Sequence, residues 1–200
     1  MKRSCRLYLV RHGQVMGYDR RPVYGHTDVG ITEVGRLQME ALAERLKYVP
    51  IKAVFSSDLE RSRLGALIIG RHHDVPVQSL PELREMNFGD WESLTLGELS
   101  ERFPEELQKR KADLLGYRIP GGGESVEDFA RRVLGCLDGI LAERDGEDVL
   151  LVAHGGVNRV ILCSAMGLAM DRIFSLHQDY GCLNIIDYFQ DGALIRLVNG

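Results

Sequence analysis

Along this chain, apolar runs that end in polar or glycine signals alternate with stretches whose apolar residues recur at helical spacing. Cys5 to Val10 reads as a short strand, rich in residues that favour sheets. Val34, Leu37, Ala41, Leu42 and Val49 then predict a helix from about Ile31 to Tyr48. Ala53-Val54-Phe55-Ser56 reads as a second strand. Ser57-Asp58-Leu59-Glu60 has the form of a capping box and predicts a helix that runs to about His72. After a loop through Pro81, helical stretches are expected from Thr95 to Phe103 and from Pro104 to about Leu115, the latter with proline in its first turn.

Gly121-Gly122-Gly123 is a breaker, and Ser125 opens a long amphipathic helix carrying Val126, Phe129, Val133, Leu137, Ile140 and Leu141. Val149 to Ala153 is continuously apolar, the mark of a strand buried on both faces. A helix from Val157 to Met166 follows. The chain closes on an expected edge hairpin, Leu183–Phe189 and Leu194–Val198, around a turn at Gln190-Asp191-Gly192.

Strands separated by helices predict an α/β fold, a three-layer α/β/α arrangement around a mostly parallel central sheet. Two hundred residues without linker, repeat or low-complexity tract suit a single domain over 1–200. Its least regular part, Glu85 to Gly123, is expected as a lid-like helical excursion over one end of the sheet, where open α/β folds place their active sites.

Composition narrows the class. With 44% hydrophobic and 27% charged residues the chain has the balance of a soluble globular protein, and its net charge of −4 offers no basic excess for nucleic acid or a membrane surface. No apolar run approaches a membrane-spanning length, so cytoplasmic residence is expected. Cys5, Cys136, Cys163 and Cys182 are scattered among apolar neighbours and read as reduced thiols rather than a metal site or disulfide framework.

The candidate chemistry sits where strands meet helices. Arg11-His12-Gly13 follows the first strand directly, and His154-Gly155-Gly156 follows the buried late strand in the same way. If those strands are neighbours, the two imidazoles meet. Arg61, in the first turn of the helix opened at Ser57, joins them near a helix N-terminus that attracts anions. Two arginines, two histidines and free backbone N–H groups suit a phosphoryl group, because guanidinium forks bind its oxygens and fixed charge stabilises its transfer. Taken singly, each residue would more often be an ordinary surface or loop group.

Several blocks in order make the resemblance specific. Leu9-Val10-Arg11-His12-Gly13, Ser56-Ser57-Asp58-Leu59-Glu60-Arg61 and Val152-Ala153-His154-Gly155-Gly156 resemble the histidine phosphatase superfamily, which also contains the cofactor-dependent phosphoglycerate mutases. Tyr24-Gly25-His26-Thr27-Asp28 resembles that family's segment before its first helix. Leu83 to Glu92 resembles its general-acid loop, and Pro120 to Ser125 the turn before its long helix. The resemblance implies His12 as the nucleophile that forms a phosphohistidine, with His154 supporting the transition state and Glu85 as proton donor. It further implies Arg11, Arg61, Gly13, Thr27 and Gly155 around the phosphate, with neither metal nor cofactor. Glu82 is the nearby competitor for the acid role. The family pattern, which places its acid ahead of Phe-Gly-x-Trp-Glu, favours Glu85. His26 and the pair His72-His73 are not spaced as metal ligands.

The sequence also departs from the pattern. Tyr18 occupies the ungapped position of an asparagine that touches phosphate in the family, Gln14 replaces a glutamate expected near the pocket, and Ser93 replaces a glycine. The short segment Phe103 to Gly121, with Lys109-Arg110-Lys111 as its basic run, favours a phosphomonoesterase over a mutase-type phosphotransferase. That run is read as a solvated helix face, or else as part of the entrance. A non-catalytic phospho-ligand-binding protein is the reading from another class. Compact length and the Pro-Gly-Gly-Gly-Glu-Ser turn resemble α-ribazole phosphatases, so α-ribazole-5'-phosphate is one expected substrate. The expected partners are a small phosphorylated substrate and, in a homodimer, a second copy of the chain.

Overall fold

The central strand β1 (Cys5–Arg11) alternates its side chains between two apolar layers, Leu7 and Leu9 to one and Tyr8 and Val10 to the other. The computed structural model describes residues 2–200. Beside β1 lies β4 (Glu147–Ala153), parallel and in the register Arg11 to Ala153. β2 (Ile51–Ser56) and β3 (Val77–Ser79) extend the parallel half. β5 (Leu183–Phe189) pairs antiparallel with β1, and β6 (Gly192–Leu197) closes that edge as the expected hairpin. The six strands run β3-β2-β4-β1-β5-β6, a mostly parallel sheet.

Helices cover both faces. α1 (Glu33–Leu46) and α2 (Glu60–Gly70) bury Met39, Leu42, Leu46, Ala66 and Ile69 against Val10, Val54, Leu150 and Val152. On the other face, α5 (Val126–Glu143) and α6 (Gly155–Met166) pack Phe129, Val133, Leu137, Val160 and Ile161 over Leu7, Leu9, Phe55 and Leu151. Truncating one such side chain, Leu151→Ala for instance, would cost about 3 kcal/mol. Between these layers' helices the chain makes α3 (Leu96–Arg102) and α4 (Pro104–Ala112). Trp91, Leu99 and Ile119 sink from that excursion into the larger apolar layer, so the segment is anchored in the core.

The caps explain the element ends. Thr32 accepts from the Gly35 N–H, Ser125 from the Asp128 N–H, and Thr95 forms a reciprocal capping box with Glu98. Ser57 does not cap α2 as expected. The helix begins at Glu60, whose N–H goes to the Asp28 carboxylate at 2.9 Å. The Ser57 hydroxyl is engaged elsewhere, as the site shows. β3 was not anticipated, because three residues behind a polar loop carry too little periodicity.

Candidate active site

Because β1 and β4 are parallel neighbours, both histidines emerge at the same end of the sheet, with ring centroids 5.1 Å apart and nearly edge to face. His12 is 5% exposed and its Nδ1 lies 2.8 Å from the Gly13 carbonyl. A carbonyl only accepts, so Nδ1 carries the proton and Nε2 presents its lone pair. Burial first, then the charges of Arg11 and Arg61, hold its pKa well below the usual histidine value against the opposing Gly13 bond. His12 is therefore neutral.

His154 is completely buried, and its Nε2 lies 2.7 Å from Ser57 Oγ. With that hydroxyl donating, His154 Nδ1 carries a proton that no protein group accepts. Burial, then the charges of Arg61, His12 and Arg11, keep this imidazole neutral too. Asn158, on α6, ties the two strand tips together: with its amide oriented to suit its neighbours it accepts from the Arg11 N–H and donates to the His154 carbonyl, each at 3.2 Å.

The guanidiniums are held by neutral groups, which leaves their charge available. Arg61 is 1% exposed and donates to the carbonyls of Thr27 at 2.8 Å and Gly25 at 2.7 Å. Burial pulls its pKa down from the arginine value, while the charges of Glu85, Asp28 and Glu92 pull it back up. Arg11 donates to the Gln178 carbonyl at 2.7 Å, and its Cζ stands 3.8 Å over the ring of Tyr180. Its Nε, like His154 Nδ1, is a buried donor with no protein partner. Two such donors beside a neutral imidazole lone pair are what a phosphoryl group would satisfy.

Glu85 is the carboxylate lining this cleft, together with Arg11, His12, Arg61, Tyr24 and Tyr180. Its oxygens accept from the N–H groups of Met86 at 2.9 Å and Gly156 at 2.8 Å. A Cβ at Gly156 would overlap Glu85 Oε1, so the glycine admits the carboxylate. From α5, Arg132 donates to the carbonyls of Glu82, Arg84 and Glu85 while it forms a two-pronged pair with Glu124. Glu124 in turn accepts from the Asn87 N–H.

A second carboxylate fastens the site's two loops. Glu92 accepts from the N–H groups of Gly25, His26, Thr27 and Phe88, and from the Thr27 hydroxyl at 2.5 Å. Burial pushes its pKa up, but these bonds outweigh burial and hold it below the usual carboxylate value.

Of the residues singled out in the sequence, Arg11, His12, Arg61 and Glu85 line one cleft, with His154 against His12. Gly155 opens α6 directly after β4, whereas Gly13 begins the long loop between β1 and α1, where a side chain would strike the backbone of Gly35. Thr27 contributes through its carbonyl, since its hydroxyl belongs to Glu92. Gln14 turns to Thr32 Oγ1 at 2.8 Å, and Tyr18 is 46% exposed and outside the cleft lining. Lys109 pairs with Glu106, and Arg110 packs over Trp91. Tyr180, Gln178 and Asn158 were not foreseen. The first two come from the loop before β5, which carries no local signal. Asn158 lies in a mostly apolar helix with no local signal to single it out. No group of three or more His, Cys, Asp or Glu side chains among the described residues is placed to hold a metal ion. The four thiols are unpaired.

The family profile of the histidine phosphatase superfamily (branch 1) matches residues 7–200. The chain belongs to that superfamily. This histidine phosphatase is 31% identical over 194 residues to the adenosylcobalamin/alpha-ribazole phosphatase of Salmonella typhimurium, covering 97% of this chain and 96% of that one. It is 37% identical over 157 residues to a metal-independent phosphoserine phosphatase of Arabidopsis thaliana, covering 78% of this chain and 66% of that protein. The crystal structure of a putative alpha-ribazole-5'-P phosphatase from Escherichia coli superposes with a TM-score of 0.91 at 28% identity, covering 98% and 97% of the two chains. Membership and relatives together support phosphatase activity for this histidine phosphatase. No helix among the described residues is long and apolar enough to cross a membrane.

Proposed function

We propose that this protein is a phosphomonoesterase that hydrolyses a small phosphorylated metabolite through a phosphohistidine on His12. The observation that carries the reading is the neutral His12, its Nδ1 tied to Gly13, beside two buried donors without protein partners. His12 Nε2 attacks phosphorus as the ester P–O bond breaks, and Glu85 gives its proton to the leaving alkoxide. A water then enters, loses a proton to the Glu85 carboxylate and attacks phosphorus. The N–P bond breaks, inorganic phosphate leaves, and both residues return to their starting states.

Arg11, Arg61, His154 Nδ1 and the backbone at Gly13 and Gly155 would hold the phosphoryl oxygens, with Thr27 positioning Arg61. Fixed guanidinium charge supplies the electrostatic stabilisation, so the proposed reaction is metal-independent. The short segment from Phe103 to Gly121 supports hydrolysis over mutase-type transfer. The Salmonella relative makes α-ribazole-5'-phosphate the first substrate to try.

The test is a panel of 4-nitrophenyl phosphate, 3-phosphoglycerate and α-ribazole-5'-phosphate in EDTA, with acid-quench trapping of labelled phosphate. Wild type should turn over and trap an acid-labile phosphate, and His12→Ala should do neither. Turnover abolished by EDTA, or retained by the variant, overturns the reading.

A further inference from the structure

Glu85 lines two concavities, not one. On one side is the polar cleft with His12 and the guanidiniums. On the other is an apolar pocket lined by Met86, Phe88, Phe129, Ile173, Phe174 and Arg159. We propose that this second pocket is the leaving-group subsite, and that Arg159 within it selects phosphate monoesters whose alcohol carries a ring-sized apolar group bearing an anionic or acceptor substituent. The proposal rests on the phosphatase reading above.

The chemistry places the leaving group there. In an in-line displacement the leaving oxygen lies opposite His12, and it must touch the carboxyl that protonates it. The carbon skeleton attached to that oxygen therefore departs from the phosphoryl cleft at Glu85, where the apolar walls begin. Gly156 lines the apolar pocket beside Glu85 and, having no side chain, lets the carboxylate sit at the boundary of the two concavities. Phe174 stands at 60% exposure on the short 3-10 segment Met170–Ser175, an apolar ring at the pocket's edge. Such a wall contributes affinity through a ligand's apolar surface.

Arg159 gives the pocket its selectivity. It is half-buried on α6, and its Nε donates to the Leu176 carbonyl at 2.7 Å. No carboxylate among the described residues pairs with its Nη groups, although burial works against its charge. A guanidinium fixed among phenyl and aliphatic groups with donors to spare favours a carboxylate or comparable acceptor on the ligand. Arg61 and Arg11 serve the phosphoryl end, so Arg159 is free to read the other.

The test compares ethyl phosphate, 2-phenylethyl phosphate and its para-carboxylate, whose leaving groups have similar basicity. Wild type should show kcat/KM about tenfold higher for the phenylethyl than for the ethyl ester. The para-carboxylate should add about fivefold, an increment that Arg159→Gln removes, and Phe174→Ala should shrink the phenyl preference. Equal kcat/KM for the ethyl and phenylethyl esters overturns the subsite, as does a carboxylate increment that survives Arg159→Gln. Calorimetric binding of the same esters to His12→Ala separates this proposal from the phosphatase reading. If no ester is turned over and the variant still binds the phenylethyl ester about tenfold more tightly, the hydrolytic reading falls and the pocket stands as a binding site. If esters are hydrolysed without discrimination, hydrolysis stands and the subsite falls.

Discussion

Ser57 Oγ lies 2.7 Å from His154 Nε2, across 97 residues of sequence, and where that hydroxyl donates, the imidazole proton sits on Nδ1. Without it the buried Nε2 has no partner, and the imidazole loses the contact that holds its ring in place. Ser57→Ala should lower kcat about tenfold and cost about 1–3 kcal/mol of stability by leaving the buried Nε2 unpaired, and Ser57→Thr should restore most of both. Steady-state kinetics on the three proteins checks this. Unchanged kcat in the alanine variant would show that the ring is held some other way.

Gly156 and Glu85 are equally interdependent. Gly156→Ala should push the carboxyl out of its seat and slow hydrolysis of alkyl phosphates by about a hundredfold. The loss should be much smaller for 4-nitrophenyl phosphate, whose leaving group needs little protonation. Glu85→Gln should show the same leaving-group dependence. A uniform loss over all esters would place the fault elsewhere than in proton donation.

Arg132 acts through Glu85 as a positioning residue, since its planar fork holds three carbonyls of the acid loop together with Glu124. Arg132→Lys keeps the charge but not the fork. About a tenfold fall in kcat for alkyl esters is expected, with KM nearly unchanged and a smaller effect on 4-nitrophenyl phosphate. Equal effects on both ester classes would reduce Arg132 to a general structural role.

His12 and His154 are held neutral at pH values where a free imidazole, with its value of 6.5, is charged. Two consequences follow. After correction for substrate ionisation, kcat/KM should not fall as pH drops through 6.5. Stability should fall over that same range, because below 6.5 the unfolded chain binds protons that the folded protein excludes. Denaturant unfolding from pH 8 to pH 5 measures the second effect. A stability that rises on acidification would mean the histidines are charged in the folded state.

At the opposite end of the sheet, Asp187 is 1% exposed and receives Arg6 through Nε at 2.5 Å and Nη2 at 2.8 Å, with Arg196 Nε at 2.8 Å. Arg6 chiefly, and then Arg196, bring its pKa down to about 2. Its stabilisation is thus complete above about pH 4 and disappears as pH falls through about 2. Asp187→Asn should cost about 2 kcal/mol at pH 7, less than a fully buried pair because the arginines keep contact with water. Phosphatase kinetics should be unaffected. The difference from wild type should vanish near pH 2, as followed by urea unfolding.

Much of this was legible in the chain because the signals were local. A short apolar run followed by Arg11-His12-Gly13, and a buried run followed by His154-Gly155-Gly156, announce strand tips wherever the rest of the fold goes. The pairing of β1 with β4 then follows from strands whose connections are helical. What escaped was non-local. Ser57 has the sequence of a cap, and only the arrival of His154 diverts its hydroxyl, while Asp28 takes over the helix N–H. Thr27 was expected to face the phosphate, yet Glu92 claims its hydroxyl. Tyr180 reaches Arg11 from a loop near the C-terminus that shows no periodicity at all.

The fastening made by Glu92 has a consequence for how the site comes apart. One carboxylate holds the loop whose carbonyls orient Arg61 and the loop that carries Glu85, so neither can open while the other stays closed. The proposed phosphate grip and proton supply would thus form a single cooperative unit, with the N–H groups of Gly25, His26, Thr27 and Phe88 sharing one opening free energy. Under mild denaturant, substrate affinity and turnover should vanish together, ahead of the strands beneath them.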